Sequence, residues 1–150
     1  MSKFVTISLP EMEQRKFRNW LKQQGSKTNR DCRQLIQKTG RDIVRRAQMF
    51  ASVNFGFLRA SIGSTFTNDR LGVTISAGGM GKGTWVKYAP YVEFGTGSKV
   101  VVPSDLKDYA IQFKGSGKRN ISQRAQPYFF PAVRISAKEM ITRLNQMGFR

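Results

Sequence analysis

The sequence contains no histidine, and Cys32 is its only cysteine. A disulfide within the chain needs two cysteines and is therefore excluded. Catalytic groups that use imidazole as the base are excluded as well. Because transition metals in proteins are held mainly by Cys and His side chains, we expect neither a metal site nor a bound cofactor.

Acidic residues are also scarce, with 9 Asp and Glu against 26 Lys and Arg, for a net charge of +17. The few carboxylates do not cluster as a metal-dependent nuclease would require, so we expect no enzymatic activity. The basic residues are spread over both halves of the chain. Such a surplus is typical either of a merely soluble basic surface or of one that faces nucleic acid or an acidic protein.

Long apolar runs are absent too. No stretch reaches the roughly 18 consecutive apolar residues that a transmembrane helix needs, so we expect no membrane partner. Residues 1–10 alternate apolar and polar side chains and lack the features of a signal peptide. We therefore expect a protein made and assembled in a cytoplasm.

Three segments have the periodicity of amphipathic helices. Residues 10–24 predict a first helix, and residues 29–50 predict a longer one with Asn29 or Thr28 as its cap and Gly40 inside it. That glycine is expected to permit close packing against a neighbouring helix. A last helix is predicted over residues 131–147.

The middle of the chain has the alternation of strands. Residues 62–67 and 71–77 predict a hairpin, and residues 84–94 predict a third strand in which Pro90 lies at an edge or bulge. The glycine-rich residues 78–83 lack the Gly-Lys-Ser/Thr ending of a phosphate-binding loop, so we interpret them as a hairpin tip.

These elements together predict one α+β domain over residues 1–150. Its core would be an antiparallel β-meander of three to five strands, packed against the long helix of the N-terminal half and the C-terminal helix. Residues 1–28 would form an arm and the first helix, and residues 99–126 a long basic loop.

Three short motifs, in this order, carry a resemblance to a known family. They are residues 54–62 (NFGFLRASI), 88–97 (YAPYVEFGTG) and 125–132 (AQPYFFPA). They resemble the Gly-x-Leu-Arg-x-Ser-Ile, Tyr-Ala-x-x-Val-Glu-Phe-Gly-Thr and Gln-Pro-Phe-Leu-x-Pro-Ala patterns of the tail-component or head–tail joining (neck) proteins of tailed bacteriophages. This is the HK-ninety-seven gene-ten-like family, and the resemblance covers roughly residues 30–147.

The resemblance implies a non-enzymatic virion protein of the head–tail junction, assembled in the host cytoplasm. It would be a subunit of a homo-oligomeric ring, six-fold rather than twelve-fold, that serves as a neck or tail-completion protein or, alternatively, as a tail terminator capping the tail tube. Its partners would be copies of itself, other head-completion, connector and tail proteins, and packaged double-stranded DNA.

The same resemblance supplies candidate residues for subunit interfaces or structural motifs. These are Gly56, Leu58, Arg59, Tyr88, Pro90, Tyr91, Glu93, Phe94, Gly95, Thr96, Pro127, Phe129 and Pro131. Candidates for contact with DNA or a partner lie on the basic loop: Lys107, Lys114, Lys118, Arg119 and Arg124.

Some of these residues also carry predictions of their own. Gly56 and Gly95 are expected to have positive φ or a close chain approach. Glu93, the one acid in an apolar segment, needs a partner if it is buried, and an ion pair with Arg59, within the subunit or across a ring interface, is one hypothesis. An exposed Glu93 is the other. The aromatic residues around it would either pack in the core or line a subunit interface.

Two other functional classes remain. A stand-alone nucleic-acid-binding module would show a helix-turn-helix, or a sheet with interleaved aromatic and basic residues, and neither is clear in the sequence. An enzyme such as a nuclease would need clustered carboxylates.

Overall fold

The computed structural model describes residues 11–52, 56–81, 84–97, 101, 103–107 and 123–149. Within these ranges the fold is α+β, as the sequence predicts. The helices are α1 (Glu11–Lys22), α2 (Ser26–Phe50), α3 (Gly56–Ser61), α4 (Ala89–Phe94) and α5 (Phe129–Gln146), with a 3₁₀ turn at Ser104–Leu106. The strands are β1 (Gly63–Phe66), β2 (Val73–Ser76), β3 (Gly79–Gly81) and β4 (Thr84–Val86).

The long helix α2 is the central structural element of the domain. Its buried positions recur at helical spacing and face the other elements: Cys32, Leu35, Ile36, Thr39, Gly40, Ile43 and Ala47. The helix begins three residues before the predicted cap, with Gly25 as its N-cap. Asn29 does not cap it. Its amide instead donates to the backbone carbonyls of Leu21 and Gln24, which ties the end of α1 to the start of α2.

The predicted hairpin is confirmed by the antiparallel pairing of β1 with β2, from Gly63 opposite Ser76 to Phe66 opposite Val73. It packs on α2 at Gly40. A Cβ atom at Gly40 would lie 2.9 Å from both the Phe66 ring and a Val73 methyl group. The glycine thus permits close packing as expected, but against the hairpin and not against a helix.

The single meander is not confirmed. The described strands form two separate two-stranded sheets, β1–β2 and β3–β4. The glycine-rich segment supplies β3 of the second hairpin, in which Gly79 pairs with Val86 and Gly81 with Thr84.

The predicted third strand over residues 84–94 is wrong beyond Val86, because residues 89–94 form helix α4. Pro90 lies in the first helical turn and not at a strand edge. Its fixed φ and missing N–H suit that place. Apolar residues in so short a segment fit helical and strand spacing equally well, so the sequence pattern could not separate the two.

Two hydrophobic clusters, joined by α2, form the core. The larger lies between the C-terminal half of α2, α3, β2, β4, α4 and the start of α5, and the smaller lies between α1, the N-terminal half of α2 and the end of α5. Helix α5 is fastened along α2 by Arg46, whose guanidinium pairs with Glu139 at 2.8 Å and donates to the buried Ser136 hydroxyl.

Candidate functional site

The three motifs of the resemblance converge on the larger hydrophobic cluster. Leu58 from the first, Phe94 from the second and Phe129 from the third are each at most 2% exposed and belong to that cluster. The rings of Phe94 and Phe130 lie 5.7 Å apart, which packs α4 directly on the start of α5. Residues far apart in the chain are thus parts of one structural unit, centred on the α4–α5 contact.

Glu93 is the polar centre of this unit and is 5% exposed. Its Oε2 accepts the backbone N–H groups of Tyr128 at 2.8 Å and Phe129 at 2.9 Å, and its Oε1 accepts that of Phe130 at 3.0 Å. The first N–H groups of a helix have no partner within it, and the helix dipole favours negative charge there. Glu93 therefore caps α5 from a different helix.

This geometry corrects the hypothesis of an exposed Glu93 and that of an ion pair with Arg59 within the subunit. Glu93 is not exposed. Within the chain, none of the ion pairs among the described residues joins Arg59 to Glu93. The backbone carbonyl of Arg59 accepts a hydrogen bond from the Gln48 side chain at 3.2 Å, which joins α3 to α2. The partner that a buried carboxylate needs is supplied by backbone N–H groups and not by a cation.

Burial raises the pKa of the Glu93 carboxyl above its ordinary value, and the N–H groups of Phe129, Tyr128 and Phe130 act in the opposite direction. The Arg134 guanidinium, which is paired with Asp105 at 2.5 Å, also lowers it. A carboxylate that is surrounded by backbone donors has its oxygen lone pairs engaged in holding the helix start. Its role in this structure is to position α5.

Further bonds close the base of the long loop. The Thr96 N–H donates to the Gln123 carbonyl at 2.9 Å, and the Gln123 N–H donates to the Thr96 hydroxyl at 2.8 Å. The Gln126 N–H donates to the Val92 carbonyl at 2.8 Å. The two ends of the basic segment therefore meet at one point beside α4, and Thr96 is the residue that holds them together.

The motif glycines and prolines have different roles. Gly95 ends α4 with φ 80°, as predicted, and donates its N–H to the Tyr91 carbonyl. Gly56 begins α3, and none of the described residues lies within 4 Å of a Cβ built on it, so the expected close chain approach is not found among them. Pro127 is exposed, while Pro131 is the third residue of α5.

Three large aromatic side chains of the first two motifs reach the surface. Phe57 is 48% exposed, Tyr91 38% and Tyr88 36%. Their neighbours in the motifs, such as Leu58 and Val92, are buried. Each of these two motifs thus combines a buried residue of the larger cluster with an exposed aromatic side chain.

The basic candidates divide by location. Lys107 and Arg124 are exposed, next to the 3₁₀ turn and the loop base respectively. Lys114, Lys118 and Arg119 lie outside the described residues. Asp105, which precedes Lys107, pairs with Arg134 and so connects the 3₁₀ turn to α5.

Among the residues that the structure describes, no three His, Cys, Asp or Glu side chains are grouped so as to hold a metal ion. None of the helices in those ranges is long and apolar enough to cross a membrane.

The Glu93 cap is the feature that the sequence analysis missed. Two signals for it exist in the sequence: an acid within an apolar segment, and a helix start without Ser, Thr, Asp or Asn before it. Tyr128, the N-cap residue of α5, makes no capping bond with its side chain. A carboxylate without a partner and a helix start without a cap are complementary, but only the fold shows that they meet.

Comparison of the chain with protein-family models, with curated proteins and with solved structures finds no match.

Proposed function

We propose that this chain is a structural, non-enzymatic subunit of a homo-oligomeric ring at the head–tail junction of a tailed bacteriophage. It would act as a neck or tail-completion protein that joins the tail to the DNA-filled head. A ring of six copies is proposed in preference to twelve. The observation that carries the proposal is the convergence of the three family-like motifs on one unit around Glu93.

The arrangement of side chains in that unit supports an assembly role. Glu93 is fully engaged by the backbone, so the unit is rigid at its centre. Phe57, Tyr88 and Tyr91 present aromatic surface around it. Aromatic residues are enriched in protein interfaces, where they contribute large contact areas at low entropic cost. We infer that these residues contact the next copy of the chain in the ring.

The charge of the chain fits a place next to packaged DNA. Net charge is +17, and the segment between Thr96 and Gln123, whose two ends are hydrogen-bonded to each other, contains Lys107, Lys114, Lys118 and Arg119. In the proposed ring this segment would meet DNA in the central passage or the neighbouring ring. Contacts with phosphates there would be independent of DNA sequence and sensitive to salt.

The test begins with the virion. Phage particles that encode the chain are purified, the chain is sought by mass spectrometry, and the head–tail junction is reconstructed by cryo-electron microscopy. We expect a closed ring of this chain, with Tyr91 at the contact between copies. A terminator ring on the tail tube is distinguished from a neck ring by its neighbours. Absence of the chain from infectious particles would overturn the proposal.

A joining assay tests the interface itself. Particles made without the chain are expected to accumulate as separate heads and tails, and purified protein should restore infectivity. Tyr91→Glu places a charge in the proposed contact and should abolish this restoration. Ile141→Glu is the matched control, because Ile141 is 54% exposed on α5 and outside the three motifs. If both variants restore infectivity equally, Tyr91 does not lie in the contact.

A further inference from the structure

A second feature lies away from the Glu93 unit, between α1, the start of α2 and the β1–β2 turn. It is an open groove of about 710 Å³. Four basic side chains line it: Arg15, Arg18 and Lys22 from α1, and Arg33 from α2. Amide side chains and two leucines complete the lining, and no acidic residue is among the described residues that line it.

The fold fixes the direction of the basic side chains that line the groove. Residues 15, 18 and 22 share one face of α1 because they are three and four positions apart. The adjacent face, with Phe17 and Leu21, is buried in the smaller hydrophobic cluster, which fixes the direction of the basic face. Arg18 is held by Asp69 at 2.8 Å, and Arg33 donates to the Asp69 carbonyl, so the turn orients both guanidinium groups.

The remaining two cations are available for a ligand. Arg15 and Lys22 are exposed, and no side chain that the structure describes forms an ion pair with either. Seven residues of helix separate them, which is roughly 10 Å along the axis. A DNA duplex presents one phosphate charge about every 1.7 Å of its axis, so this spacing spans several phosphates.

The chemistry of the lining selects among anionic ligands. The described lining offers hydrogen-bond donors from four basic and four amide side chains, whereas an acidic peptide would also need apolar anchoring, for which only Leu21 and Leu71 are present. The part of its lining that the structure describes includes no aromatic side chain on which the bases of a single strand could stack. Trp20, the nearest ring on α1, stacks on Phe17 with centroids 6.0 Å apart and meets Phe149 edge-on. Donors without stacking surface match a duplex backbone.

We propose that this groove, defined by Arg15, Arg18, Lys22 and Arg33, binds the sugar–phosphate backbone of double-stranded DNA without sequence preference. The inference does not depend on the proposed ring, because it rests on a different face of the chain and requires only the free protein.

Binding of the full chain to a fluorescent 20-base-pair duplex of mixed sequence, followed by anisotropy from about 50 to 250 mM NaCl, tests it. Two phosphate contacts, from Arg15 and Lys22, predict a slope of roughly −1.8 for log K against log salt. The double variant Arg15→Gln/Lys22→Gln should bind at least about tenfold more weakly in 100 mM NaCl, with a slope smaller in magnitude by about 1.8. Arg18 and Arg33 are left intact because they also hold the turn.

The matched control is Arg41→Gln/Arg45→Gln, which removes the same charge from an exposed part of α2 outside the groove. It should stay within about threefold of the unmodified protein. Equal weakening by both double variants would show that binding reflects net charge alone and would overturn the proposal. Tighter binding of a single strand, or more effective competition by polyglutamate of equal charge, would overturn it in favour of that ligand class. Loss of duplex binding leaves the ring untouched, since the joining assay and the virion ring are measured separately.

Discussion

Replacing Glu93 by Gln isolates the contribution of its carboxylate to the start of α5. The amide has the same shape, and its oxygen can take the place of Oε2, where it still accepts the N–H groups of Tyr128 and Phe129. Its NH₂ group then faces the Phe130 N–H, which donated to Oε1 at 3.0 Å. Two donors would point at each other in a buried site.

The expected loss of stability follows from the number of buried donors left without an acceptor. A buried donor without a partner costs about 1–3 kcal/mol, and a negative charge at a helix start contributes up to about 1 kcal/mol. Removing a buried charge offsets part of this, so we expect Glu93→Gln to lower the free energy of unfolding by about 2 kcal/mol. Glu93→Ala leaves all three N–H groups without a partner and should cost about 4 kcal/mol.

Urea denaturation at pH 7, followed by far-ultraviolet circular dichroism, measures both variants. In thermal denaturation, a loss of about 2 kcal/mol should lower Tm by roughly 4–8 °C in a chain of this size. The control is Glu139→Gln, which removes an exposed carboxylate paired with Arg46 and should lower the stability less than Glu93→Gln does, because exposed ion pairs contribute little. If Glu93→Gln is no more destabilising than Glu139→Gln, the carboxylate does not hold α5 and the reasoning fails.

The pH dependence of the same variants gives an independent check. Because burial raises the pKa of Glu93, its favourable linkage is present below the ordinary value of 4.5 and is lost as pH rises through the folded-state pKa. The stability difference between the unmodified chain and Glu93→Gln should therefore be largest in acid and shrink as pH rises. A difference that grows with pH would contradict the assigned direction.

Three further outcomes are expected. Gly40→Ala gains about 1 kcal/mol of helix propensity but crowds Phe66 and Val73, so we expect a net loss of about 1 kcal/mol in urea denaturation; a more stable variant would show that the hairpin gives way. The Thr67 hydroxyl and the Leu71 N–H lower the pKa of Asp69 to about 2, so the stability difference between the unmodified chain and Asp69→Asn should be present above pH 3.8 and fade as pH falls towards 2. Burial and the nearby Asp31 raise the pKa of the Cys32 thiol, so a thiol reagent should label it slowly in the native protein and rapidly in urea; rapid native labelling would refute its burial.

Local signals predicted the elements that depend on neighbouring residues. Helix α2 has seven buried positions at helical spacing, and the β1–β2 hairpin has two alternating segments joined by a short turn. Positive φ at Gly95 was also predictable, because a turn after an apolar segment needs a residue without a side chain. Such features are set by interactions over three or four residues.

Segment 88–97 marks the limit of this reasoning. Its aromatic and β-branched residues favour a strand, but Pro90 and the packing of Ala89, Val92 and Phe94 against the larger cluster make it helix α4. The energy that decides between the two conformations is burial against α5 and not local propensity. The prediction of a single meander likewise relied on local strand propensity.

The features of the candidate site also divide into those that the sequence predicts and those that depend on the fold. Composition alone excluded a disulfide within the chain and any imidazole-based chemistry, and the order of motifs alone suggested a phage assembly role. That Glu93 meets the backbone of Phe129 and Phe130, and that Arg15 and Arg33 face one groove, depends on contacts across 18 to 37 residues. Hydrogen bonds and charges act over a few ångströms in space and leave no periodic trace in sequence, so these pairings became visible only when the chain was folded.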